Sequence, residues 1–231
     1  MLKLDIIFED NHFIAINKRN GDIVQGDKTG DIPLSDQIKD FLREKYNKAG
    51  NVYCGVIHRI DRPVSGAVLF AKTSKALERM NKLIHDRHVH KRYWAIVKNL
   101  PAKPKDNLIH YLCKDERKNK ATISNSPKNG YTQAELNYEV IASSEHYHLL
   151  DIELITGRHH QIRAQLSAIG SPIKGDLKYG FPRSNPDASI SLHARSISFT
   201  HPITLQPTTI LANPPNDKLW NYFLEQISTK N

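Results

Sequence analysis

Three scarcities limit what this 231-residue chain can be. Cysteine occurs twice, as Cys54 and Cys113. Two isolated cysteines make neither a disulfide framework nor a zinc ribbon, so both are expected to be core residues. No stretch approaches the ~20 apolar residues that a membrane-spanning helix needs. The start, MLKLDIIFEDNHFIAINK, has no basic head, apolar run or small-residue cleavage site of a secretory leader. A cytoplasmic location with no membrane partner is the expectation. The fingerprints GxGxxG and GxSxG are also absent, which leaves dinucleotide binding and a nucleophile elbow without support. Gly21 to Thr29 nearly forms a phosphate-cradling loop. There, however, Asp27 separates the second glycine from Lys28 and would face the phosphates, so a surface loop is expected.

Acid is scarce relative to base. Lys and Arg number 33 against 24 Asp and Glu, a net charge of +9. The cations run through the whole chain, which points to a charged groove on a folded body and a polyanionic partner. Hydrophobic residues at 39% and charged residues at 25% are ordinary for a globular protein and exclude wholesale disorder. The 12 histidines include His85, His88 and His90, but no cysteine or carboxylate set completes a zinc shell around them. They are expected on the surface, with no metal.

The patterning is α+β. Apolar runs at residues 4–9 and 13–18, joined by Asp10-Asn11-His12, predict a hairpin. Leu34, Ile38, Phe41 and Leu42 recur at helical spacing, with Pro33 in the first turn. Ala67–Thr73 reads as a buried strand, and Ser74 as the cap of a helix to about Arg87 with Leu77, Met80 and Ile84 on one face. RYWAIVKN is a strand, followed by a basic loop at Lys114–Ala121. Strand-like runs follow at 121–125, 134–142 and 147–155. A helix from about His159 to Ala168 stops at Gly170. SLHARSISF and TTILAN read as strands, and residues 217–227 as an amphipathic terminal helix. Hairpins outnumber strand–helix–strand units, so a mixed, mostly antiparallel sheet flanked by helices is expected, as a single domain over 1–231.

The chemistry concentrates in HRIDRPVSG, residues 58–66, where Asp61 sits between Arg59 and Arg62. Neighbouring guanidinium groups favour the ionised form that a nucleophile requires. Taken alone, a structural Asp–Arg pair in a turn explains the motif as well. In LITGRHHQIR, residues 154–163, Arg163 lies at the edge of the stripe formed by Ile162, Leu166 and Ile169. A guanidinium half buried there needs an anionic partner. Tyr93, in KRYWAIV, starts a strand amid cations and on its own would be read as a core residue.

Together HRIDRPVSG, KRYWAIV, LITGRHHQIRAQL with its trailing GSPIKGDLKYG, and SLHARSISFTHPIT resemble the RluA-type pseudouridine synthases of ribosomal and transfer RNA. The matches run in the family's order from NKRNG to HPIT. The resemblance implies the pseudouridine synthase fold with a central RNA-binding cleft, a stand-alone catalytic domain without an S4 domain, and an RNA substrate. It implies no cofactor, no obligatory protein partner and a monomer. It assigns Asp61 as the catalytic carboxylate, Tyr93 as the tyrosine that stacks on the target base, and Arg163 as the arginine that salt-bridges the aspartate. Arg59 would fill the gap left by the displaced uridine, and Ile197 would pack under the base. Arg62, Arg158 and His160, within the same motifs, join them as RNA-contacting candidates. Val64, Arg19, His159 and Gln165 depart from the family's usual threonine, proline, threonine or serine, and histidine. Rival expectations are a catalytically silent RNA-binding protein and a hydrolase using Asp61 as acid or base.

Overall fold

The computed structural model describes residues 4–27 and 29–229. Met1–Lys3, part of the stretch read for a leader, and Lys28, in the glycine-bounded loop, lie outside the described residues. In chain order the elements are β1 (Ile6–Glu9), β2 (Phe13–Lys18), α1 (Leu34–Lys45), β3 (Gly55–Val56), β4 (Ser65–Ala71), α2 (Ser74–His85), β5 (Val89–Val97) and β6 (Lys105–Asp115). They continue with β7 (Lys120–Ser124), β8 (Thr132–Ser143), β9 (His148–Leu154), α3 (Gln161–Ala168), a 3-10 turn (Leu177–Tyr179), β10 (Leu192–Thr200), β11 (Pro207–Leu211) and α4 (Lys218–Ser228). Among the described residues no helix is long and apolar enough to cross a membrane. The chain divides into two compact units, Met1–His90 with Ala194–Pro214, and Lys91–His193 with Pro215–Asn231.

In the first unit β2 pairs antiparallel with β1 and β4, β3 joins β4, and β11 pairs antiparallel with β10. One face of this sheet buries Phe13, Ala15, Leu69 and Ile197 against Met80 of α2. The other buries Ile14, Ile16, Val68 and Phe70 against Leu34, Ile38 and Leu42 of α1. Because β2 and β4 are covered on both faces, they read as continuous apolar runs. The hairpin expected from β1 and β2 is closed by Asp10, whose Oδ1 accepts from the backbone N–H of His12 at 2.7 Å and of Phe13 at 2.6 Å. Its other oxygen lies 2.9 Å from His201 Nε2, and His201 Nδ1 accepts from the N–H of Thr204 at 3.0 Å. That ring therefore carries its proton on Nε2 and ties the β1–β2 turn to the segment after β10.

Two helix starts differ from the sequence reading. Pro33 is the N-cap of α1, in extended backbone, rather than a residue of the first turn. Thr73, not Ser74, caps α2, its hydroxyl accepting from Ala76 N–H at 3.1 Å. Both shifts are one residue; Thr73 caps because its hydroxyl reaches the third N–H, whereas Pro33 makes no side-chain cap. The cysteines are only partly buried. Cys54 packs against the α1 core, and burial pushes its thiol up to about 12, which leaves no thiolate for chemistry. His85, His88 and His90 are exposed as expected.

The second unit is an antiparallel sheet in the order β5-β9-β8-β6-β7. Helix α4, capped by Asp217 through the N–H groups of Leu219 and Trp220, seats Trp220 and Phe223 against Trp94, Ile96 and Leu149. Strand β6 was missed in the sequence because only Leu108 and Leu112 point inward along it, with no period-2 pattern. Its ladder partners on both sides, β7 and β8, hold it instead.

Gly66, the second residue of β4, has φ +118°, and a Cβ there would lie 2.3 Å from the backbone oxygen of Ala194. Gly66→Ala is expected to destabilise the fold by more than about 3 kcal/mol, since both the conformation and the contact oppose it. Urea or thermal unfolding checks this, and a loss under about 1 kcal/mol contradicts it.

Candidate active site

The first unit carries the Asp61 motif. Residues 61–64 form a turn closed by Val64 N–H donating to the Asp61 carbonyl at 3.0 Å. Pro63 sits at the third position of this turn, where its ring restricts the backbone of Arg62 before it. The Arg62 carbonyl accepts from Gly21 N–H at 2.9 Å and from Lys18 Nζ at 3.0 Å, so the turn is anchored to the end of β2. Asp61 is half-buried. Arg59 and Arg62 are exposed, and Arg62 Nη2 is 2.7 Å from Asp31 Oδ2. Val64, where the family usually has threonine, is buried, and Arg19 is exposed. Ile197 is 2% exposed in the core with Phe13 and Leu69.

Lys18 was missed in the sequence. It is 1% exposed and also donates to the Arg19 carbonyl at 2.8 Å. Burial pushes its amine down to about 8; the charges of Asp22 and Asp61 pull it back up, and Arg62 pushes it further down. A lysine closing an apolar strand, paired in register with Gly66, was the available signal. It places a cation within electrostatic reach of Asp61.

The second unit carries Tyr93, Arg158, His160 and Arg163. Tyr93 is buried on β5 opposite Ile152 of β9. Helix α3 differs from the amphipathic helix expected, because Gln161 through Leu166 are all buried. Its polar residues turn inward onto specific partners. Gln161 donates to the Glu135 carbonyl at 3.0 Å, and its Oε1 accepts from Arg158 N–H at 2.9 Å. Gln165, at the family's usual histidine position, donates to the carbonyls of Leu108 at 3.0 Å and Ala134 at 3.2 Å. Arg163, expected half-buried, is 5% exposed. Its Nε and Nη2 donate to Asp176 Oδ2 at 2.7 Å and Oδ1 at 2.8 Å. Asp176 was not singled out in the sequence, since a carboxylate 13 residues downstream has no periodic relation to α3.

Arg158 is exposed, its Nε donating to the Gln133 carbonyl at 3.0 Å. His160, expected as an RNA contact, is 8% exposed and sits in left-handed backbone at φ 51°. It stacks on His159 at 3.9 Å, and its Nδ1 lies 3.0 Å from the Tyr179 hydroxyl. That hydroxyl also accepts from Ala121 N–H at 2.7 Å. Burial first, then the nearby Arg163 charge, pushes His160 down to about 2. A neutral, enclosed ring holds the loop and does not neutralise phosphate.

The scaffold is that of a pseudouridylate synthase domain. The human RNA Pseudouridylate Synthase Domain Containing 4 matches it with a TM-score of 0.77 at 22% identity, over 96% of this chain and 92% of that one. The RNA pseudouridylate synthase family model matches residues 12–168, and the chain belongs to that family. Tyr93, Arg163 and the Asp61 turn all fall inside the matched region. The tRNA pseudouridine synthase C of Haemophilus ducreyi is 32% identical, over 97% of this chain and 96% of the relative. The enzyme of the same name from Pectobacterium carotovorum is 28% identical over 90% of this chain, which spans 58% of that relative.

The His160 shift sets a pH dependence. An unfolded histidine binds its proton near pH 6.5 while the folded one resists it down to about 2, so this stability is complete above 6.5 and lost as pH falls below it. Between about pH 6 and 4, wild type should lose roughly 1 kcal/mol per pH unit that His160→Asn does not lose. Parallel unfolding curves for the two proteins across that window would contradict the assignment.

Proposed function

We propose that this chain converts a uridine to pseudouridine in a compact loop of tRNA, with Asp61 as the catalytic carboxylate. The near-complete mutual coverage with the tRNA pseudouridine synthase C of Haemophilus ducreyi carries the choice of tRNA. In the reaction the N1–C1′ bond of the nucleotide breaks, the uracil turns, and a C5–C1′ bond forms. C5 gives up its proton and N1 gains one, so the product is an isomer and no electrons enter or leave. Whether the carboxylate attacks the nucleotide or takes a ribose proton, it must be ionised and held against one sugar–base unit.

The supporting residues follow from this. Extruding a stacked uridine costs a few kcal/mol. Tyr93 offers an aromatic face to the extruded base and Arg59 an exposed guanidinium for the gap, contacts worth ~1–3 kcal/mol each. Arg163 is the guanidinium matched to the Asp61 carboxylate. Arg62 and Arg158, both exposed, meet phosphates, and the net charge of +9 supplies the general attraction for RNA. Ile197 supports the base from the core, and His160 holds the loop before α3. The two units act as one catalytic domain, as a monomer, in the cytoplasm.

Asp61→Asn should lower single-turnover pseudouridine formation by at least about a thousandfold while tRNA affinity changes less than about threefold. Turnover near the wild-type rate would remove Asp61 from the chemistry. For the substrate, cells lacking the gene should lose a pseudouridine from tRNA, read by chemical mapping. Loss of a site from ribosomal RNA alone would overturn the choice of tRNA.

A further inference from the structure

The segment GDLKYG, Gly175 to Gly180, trails the Arg163 motif, and neither the motif resemblance nor the comparisons give it a role. It presents two side chains to one guanidinium. Gly175 turns the chain at φ +87°, where a Cβ would come within 2.8 Å of the Asn185 side chain and the Ser189 carbonyl. Asp176 follows, 1% exposed. Its N–H donates to the Ile173 carbonyl at 3.0 Å, and its own carbonyl accepts from Tyr179 N–H at 3.1 Å and Phe181 N–H at 3.0 Å. The carboxylate is therefore fixed from its backbone outward. The 3-10 turn then brings the Tyr179 ring to 5.1 Å from the guanidinium carbon of Arg163. The far end of Tyr179 is held by Ala121 N–H and His160 Nδ1.

We infer that Asp176 and Tyr179 are positioning residues for Arg163: Asp176 fixes the plane and rotation of the guanidinium, and Tyr179 fixes the height of its face. The inference rests on the role given to Arg163 above. A carboxylate that grips the Nε–Nη2 edge with two hydrogen bonds allows one in-plane orientation, so the Nη1 edge points in one direction only. A lysine in this place would supply the charge without the direction. A buried ion pair gains a fold little over an apolar pair of the same size. Arg163 lies on α3 inside the family-matched region, and its pairing with Asp176 is better explained by orientation than by stability.

The test is a double-mutant cycle on the full chain, using Asp176→Asn, Arg163→Gln and the double variant. Single-turnover pseudouridine formation and RNA affinity are measured for each on the tRNA that the wild type modifies. Each single variant should lose 10- to 100-fold in rate with affinity within threefold, and the double variant should be no slower than Arg163→Gln by more than twofold. Losses that multiply, or Asp176→Asn at the wild-type rate, overturn the inference. If Asp176→Asn does not fold, Asp176→Glu keeps the charge and displaces it by one methylene. It should fold and still lose rate, and a wild-type rate there overturns the inference equally. Tyr179→Phe keeps the ring and should retain more than half of the rate, whereas Tyr179→Leu should lose about as much as Asp176→Asn; equal rates for the two remove Tyr179 from the role. Should the wild type itself form no pseudouridine, the functional reading fails first, which separates the two failures.

Discussion

A guanidinium taken out of water must be matched in charge and in hydrogen bonds at the same moment, and α3 carries one at a position with almost no exposure. Much of the second unit is arranged around that demand. The carboxylate comes from a turn that only glycine can open, the ring beneath comes from the same turn, and the ring's hydroxyl reaches a strand N–H and a histidine. Removing one partner from such a pair leaves an uncompensated buried charge, at about 3–5 kcal/mol. Enclosure explains the neutral His160, since a second proton there would be cut off from water and stand beside a fixed cation.

The first unit meets a similar demand with different chemistry. Lys18 is as deeply enclosed as Asp176, yet it donates to the backbone carbonyls of Arg19 and Arg62. An ammonium group suits this, being a compact charge with donors that rotate to meet acceptors wherever they lie. The lysine thus ties the Asp61 turn, through the Arg62 carbonyl, to the residue that follows β2. Exposed Arg59 and Arg62 supply the outward charge. Inward cations set geometry, and outward cations face a polyanion.

Most elements were legible because their burial is regular. Leu34, Ile38 and Leu42 mark α1 at helical spacing, and the apolar runs of β2 and β4 announce strands covered on both sides. Strand β6 was not legible, because its order comes from neighbours on either edge and not from its own side chains. The Asp61, Tyr93 and Arg163 motifs stood out by residue type, but each had a bland structural alternative, and only their combination pointed to chemistry. Asp176 and Lys18 were hidden for a physical reason. A residue's role as a partner depends on which loop returns beside it, and no local period records that. His160 was expected at the RNA from its place in the motif, and the structure encloses it beside the Tyr179 hydroxyl.

The close approach of Gly66 to Ala194 has a consequence for biosynthesis. The first unit is assembled from a long opening segment and a short return segment, with Lys91–His193 of the second unit inserted between them. While the ribosome is still translating the insert, β4 lacks the neighbouring backbone against which residue 66 is shaped. The opening segment must wait, with sheet edges unpaired, until β10 and β11 emerge. The Asp61 turn that leads into β4 therefore reaches its final setting late in synthesis, and nascent chains that stall before that point expose apolar strand edges to chaperones.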